Sequence, residues 1–140
     1  MSKFTDKLNR EWQLTINVAA MRRAKRNDID LSMPVSQLQS YVMDDVFLTD
    51  ALFAIVEPDA KAKGITLEQF EAGLDGKVIA VARESLWEAL YEYFDLPKSN
   101  MLRAAVASVQ AEMLNATNSL TGSGSGDLKA SLDGTLAPTA

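Results

Sequence analysis

Residues 10–26 read REWQLTINVAAMRRAKR, and the fold class turns on the change of character halfway along this run. Trp12, Leu14, Ile16 and Val18 alternate with Gln13, Thr15 and Asn17. That is a period of two, which gives a strand one apolar face and one wet face. From Ala19 the alternation stops. Ala19, Ala20, Met21, Arg22, Arg23, Ala24, Lys25 and Arg26 favour helix and predict one over about residues 19–27.

Upstream, Phe4 and Leu8 flank the turn-rich Asp6-Lys7-Leu8-Asn9, so residues 3–18 read as a β-hairpin. A lone two-stranded ribbon is marginal in water, so its apolar face must lie on helices.

Downstream only helices are legible. Ile29 and Leu31 form a brief extended link, and Ser32-Met33-Pro34 opens a short helix over 35–42 with Val35, Leu38 and Val42 in phase. A longer helix starts near Asp45 with Leu48, Leu52, Ile55 and Val56 on one stripe. Asp44 and Asp45 suit its positive end. Pro58 is expected to kink or break this helix, and Gly64 to cap the last helical turn beyond the proline.

Thr66 and Gln69 form a capping-box pattern before Leu67, Phe70 and Leu74. A helix over about 77–94 carries Ile79, Ala82, Leu86, Ala89, Leu90, Tyr93 and Phe94, with Glu84, Glu88 and Glu92 on another face. A last helix, 98–116, carries Leu102, Val106, Val109 and Met113.

Residues 117–140 contain thirteen Gly, Ser, Thr or Pro in twenty-four, which reads as a flexible tail. Leu128, Leu132 and Leu136 repeat every four residues within it and could form a helix against a partner. The expected architecture is therefore α+β and mainly α. An N-terminal hairpin packs on five to six helices in a single domain over 1–116.

The chain has 140 residues, 47% hydrophobic and 24% charged, with a formal charge of −5. It contains no histidine and no cysteine. Disulfides, thiolate nucleophiles and His-based triads are thereby excluded. Zinc would have to be held by carboxylates alone, which it rarely accepts. Asp28 and Asp30 have a metal-loop spacing, but the chain after them lacks the remaining ligands and the mid-loop glycine of a calcium loop. No glycine-rich phosphate cradle is present. The reading is of a non-enzyme with no metal and no cofactor. The first residues are polar and mixed in charge, and no run approaches the roughly 20 apolar residues of a membrane span, so the chain reads as cytosolic.

The charge is uneven. Residues 1–26 hold seven basic side chains against two acidic ones, and the rest hold seven against seventeen. A basic end and an acidic body can steer an acidic partner or join copies head to tail, or can simply be a solvated surface. Arg22, Arg23 and Arg26 are the candidate electrostatic contacts. Nucleic acid is disfavoured by the acidic whole and by the lack of a recognition-helix pattern. Trp87 and Tyr91 lie on a face offset from the main stripe of their helix and fit either core packing or a partner groove. Met101 and the other methionines could give a binding surface plasticity.

These patterns resemble a family. Phe4-Thr-Asp, Arg10-Glu-Trp12-Gln-Leu-Thr-Ile16, the Ile29-Asp-Leu31 link, Leu48-Thr-Asp-Ala-Leu52, Gly64-Ile-Thr-Leu-Glu-Gln-Phe70 and Ala82 through Leu86-Trp-Glu-Ala-Leu90 to Phe94 are similar to tail assembly chaperones of long-tailed bacteriophages. The likeness spans about residues 3–97. It implies a protein that binds the long, helical, aggregation-prone tape measure protein until tail tube protein replaces it. It also implies self-association, a C-terminally extended form made by frameshifting, and work in the bacterial host cytoplasm. The competing expectations are a structural virion component, such as a tail-completion or head–tail connector protein, and a small DNA-binding regulator.

Overall fold

The computed structural model describes residues 2–124. The architecture is α+β and mainly α. Two short strands, β1 (Lys3–Thr5) and β2 (Glu11–Gln13), precede six helices among the described residues. These are α1 (Val18–Arg26), α2 (Val35–Val42), α3 (Asp45–Ala62), α4 (Leu67–Glu71), α5 (Gly76–Tyr93) and α6 (Leu96–Gly124). The chain divides into a body, residues 1–103, and a second unit from Ala104 onward.

The strands pair antiparallel with Phe4 opposite Trp12. Both of these side chains are buried, as is Leu14. The hairpin is shorter than the alternation suggests. Asn17 is already a helix cap, its side chain accepting from the Ala20 N–H at 2.8 Å. Val18 is consequently the first helical residue and lies 61% exposed, while Ile16 is half-buried. The period of two outlasts the strand because a cap residue and a wet strand residue look alike in sequence.

The central element is α3, which touches α1, α2, α4, α5 and β2. A helix surrounded in this way must be apolar on more than one side. Ala51, Ala54 and Ala60 are accordingly buried along with Leu48, Leu52, Ile55 and Val56, well beyond the single stripe expected. Asp44 caps the helix, its carboxylate accepting from Val46 and Phe47 N–H groups.

Pro58 neither breaks nor ends α3, which runs on to Ala62. Proline removes the N–H that would bond the carbonyl four residues back, that of Ala54. Arg23 of α1 supplies the missing donor. Its Nε donates to the Ala54 carbonyl and its Nη2 to the Ile55 carbonyl, both at 2.9 Å. The helix ends as expected at Gly64, which takes φ +69° while the Ile65 N–H reaches back to the Ala60 carbonyl at 2.8 Å. The Thr66–Gln69 capping box forms with both of its bonds.

One buried carboxylate holds the hairpin's turn and its second strand together. Asp6 is 4% exposed. It accepts from the Leu8 and Arg10 N–H groups, from Arg10 Nε at 2.7 Å and from Trp12 Nε1 at 3.0 Å. Burial alone pushes its carboxyl up. The Trp12 indole, the Arg10 N–H and the Arg10 guanidinium outweigh burial and hold it below the ordinary carboxylate value. Arg10 also donates to the Gln69 carbonyl at 2.9 Å, and Trp12 stands edge-on to Phe70, with ring centroids 5.2 Å apart. Hairpin and α4 are thus one packed unit.

Gly73 makes room for this arrangement. A Cβ there would sit 2.5 Å from Asp6 Oδ2 and 2.6 Å from Arg10 Nη2. Gly73→Ala is therefore expected to cost about 1–3 kcal/mol through overpacking, read as a lower denaturant midpoint at unchanged slope.

The last helix starts and ends outside the expected 98–116. Leu102 and Val106 are buried and Val109 is half-buried, but every side chain from Gln110 to Asn115 is exposed, Met113 at 55%. Its backbone stays helical through residues 117–124, where the composition predicts tail. Extending an established helix costs far less than nucleating one, so weak helix formers can be added at its end. Residues 125–140, with Leu128, Leu132 and Leu136, lie outside the described residues. No helix among the described residues is long and apolar enough to cross a membrane.

Candidate functional site

Many of the cations that the sequence offers for partners are engaged within the fold. Arg10, Arg23, Arg83, Lys63 and Lys98 each donate to main-chain carbonyls. Arg83, on α5, bonds the Val42 carbonyl at 3.0 Å and ion-pairs with Asp45, tying the α2–α3 junction to α5. Arg23 is half-buried and bonded to two carbonyls of α3, unlike its neighbour Arg22. Arg22 and Arg26 are exposed and make no hydrogen bond or ion pair among the described residues.

The aromatic and methionine candidates lie apart from these arginines. Trp87 is 3% exposed and belongs to the core with Leu86 and Leu90. Tyr91 is half-buried beneath the Arg103 guanidinium, 4.3 Å from its ring centroid. Burial raises its phenol above the ordinary value, Arg103 opposes this, and Glu84 and Glu88 add to it. Met101 is 61% exposed on α6. The six side chains singled out from the sequence do not form one cluster.

The structure instead gathers a different set. An open cleft of about 420 Å³ lies between α1, the link after it and the α5–α6 junction. Val18, Met21, Leu31, Tyr93 and Phe94 supply apolar surface, and Arg22, Lys25 and Lys98 supply charge. Val18, Arg22 and Lys25 share a face of α1 because they stand four and three residues apart. Lys98 is fixed by donating to the Ser32 carbonyl at 2.8 Å and lies over the Phe94 ring at 4.4 Å.

The acid in the cleft, Asp30, is already engaged. It accepts from the Ser32 hydroxyl at 2.6 Å and from the Ser32 N–H at 3.0 Å. Those bonds, with smaller help from Lys25 and Lys98 against some burial, hold its carboxyl below the ordinary value. The cleft therefore presents three cations against one satisfied carboxylate. A second cleft of about 260 Å³, lined by Asn27, Asp50, Phe53, Ala54, Glu57 and Leu67, has acids and no cation.

Arg22 is the member of the cleft that the sequence identified. Tyr93 and Phe94 read as core from their spacing, yet α5 ends at Tyr93, which is 36% exposed, and Phe94 is its cap. Val18 and Met21 carried a signal in their spacing to Arg22 and Lys25. Lys98 carried none, since its place depends on the return of α6 to the link.

Among the described residues no three His, Cys, Asp or Glu side chains group to hold a metal ion. The arrangement is suited to holding an amphipathic surface against exposed apolar side chains, with cations at its edge. Comparison with family models, curated proteins and solved structures finds no match for the chain.

Proposed function

We propose that this protein is a bacteriophage tail assembly chaperone, which binds the tape measure protein and keeps it soluble in the host cytoplasm while the tail is built. The resemblance over residues 3–97 suggests the class. The observation that carries the reading is the open cleft, where exposed Val18 and Tyr93 and half-buried Met21 and Phe94 stand beside three cations that make no ion pair among the described residues. Apolar side chains beside cations along an open groove suit a contact with another chain. A protein that holds an aggregation-prone helix needs such a surface, together with net charge for solubility, and the chain carries −5.

Co-expression with the tape measure protein tests the reading. Its soluble yield is expected to rise several-fold and the two proteins to co-purify; an unchanged yield contradicts it. Purified virions separate the chaperone from a tail-completion or connector protein. A chaperone is absent from finished particles, and a connector is present.

A further inference from the structure

We infer that the cleft between α1 and the α5–α6 junction is the seat of the partner, and that it takes an amphipathic helix whose apolar side chains are flanked by carboxylates. This rests on the chaperone reading for the identity of the partner, but not for the chemistry of the groove.

Three observations fix the occupant. The groove is open and carries exposed apolar groups on its rim, Val18 at 61% and Tyr93 at 36%. A small molecule would be enclosed, whereas a helix laid in a groove meets its apolar anchors on such a rim. The unpaired charge is positive. Arg22 makes no ion pair among the described residues, Lys25 faces only an Asp30 already bonded to Ser32, and Lys98 is anchored at the edge. Carboxylates on the incoming helix would complete these cations, and lysines would be repelled. Finally, Met21 gives the floor an adaptable side chain, suited to a partner with varied apolar residues.

Single-stranded nucleic acid also uses cations with aromatics. Here, however, the Tyr93 ring is held edge-on against Phe94, with centroids 5.7 Å apart, and the other apolar residues of the wall, Val18, Met21 and Leu31, offer no ring for a base to stack on.

The test uses the full chain and two synthetic helical peptides with the same leucine stripe, one flanked by glutamates and the other by lysines. The glutamate peptide is expected to bind at least tenfold more tightly than the lysine peptide. Arg22→Glu with Lys25→Glu should abolish or invert that preference. Val18→Asp should weaken the glutamate peptide at least tenfold while leaving the fold intact, because an exposed acid suits a helix N-terminus. Val46→Asp, 71% exposed and outside the groove, should change nothing.

Equal binding of the two peptides, indifference to Val18→Asp, or tighter binding of an oligothymidine strand overturns the inference. Co-expression of the same variants with the tape measure protein separates the two claims. If wild type and Val18→Asp raise its soluble yield equally, the groove assignment falls and the chaperone reading stands. If the peptides behave as expected and the yield does not rise, the chaperone reading falls and the groove stands.

Discussion

Asp6→Asn is expected to destabilise the folded body by about 3–5 kcal/mol, the usual cost of breaking a buried ion pair by removing one partner. The carboxylate is 4% exposed and satisfies four donors, two of them the Arg10 guanidinium and the Trp12 indole. Asparagine keeps one oxygen but turns an amide NH2 toward donors, leaving the Arg10 charge and the indole N–H facing another donor. A loss of this size is a large part of the roughly 5–15 kcal/mol that holds a domain together. Thermal melts should show it as a fall in Tm of roughly 12 °C or more.

The effect carries a pH signature. The folded pKa of Asp6 lies below its unfolded value of about 3.9, so its contribution is fully present above that pH. It is lost as pH falls through the folded value. Wild type and Asp6→Asn should therefore differ most at neutral pH and converge as pH drops below about 4. A gap that stays constant down to about pH 2 would show that the carboxylate's charge does not support the fold.

The second large effect is expected at Arg23. Arg23→Ala should cost about 2–3 kcal/mol, since charged donors to two half-buried carbonyls are lost together with the packing of the stem. The test of mechanism is its coupling to Pro58. In a Pro58→Ala background residue 58 regains an N–H, and the Ala54 carbonyl has a partner without Arg23. The cost of Arg23→Ala should then fall by about 1 kcal/mol or more in a double-mutant cycle. Additivity within about 0.5 kcal/mol would mean that Arg23 does not stand in for the bond that proline removes.

These two residues also show what was legible in the sequence. The helix over 35–42, the start of α3 at Asp44–Asp45, the Gly64 cap and the Thr66–Gln69 box were readable because each is a local decision. A few neighbouring residues settle the backbone hydrogen bonding there. The hairpin and the mainly helical class were readable for the same reason.

The role of Arg23 was not readable. Arg22, Arg23 and Arg26 are chemically alike in one short run, and only the docking of α1 on α3 decides which of them turns inward. Pro58 misled for the matching reason, because its compensation arrives from thirty-five residues away. Asp6 looked like a turn residue, which it is; its burial needs Gly73 and Arg10 in place beside it. In the groove, Arg22 was legible as a charge, but Tyr93 and Phe94 followed the core spacing of α5 up to the point where the helix stops.

The groove between α1 and the α5–α6 junction is expected to hold a helix of the tape measure protein. Isotope-labelled full-length chain, titrated with a purified helical segment of that protein while amide shifts are followed by NMR, addresses this directly. Expected are saturable shifts concentrated at residues 18–25, 30–32 and 93–98. No shift at saturating segment, or shifts centred on α2 and α4 with residues 18–25 unmoved, would contradict it.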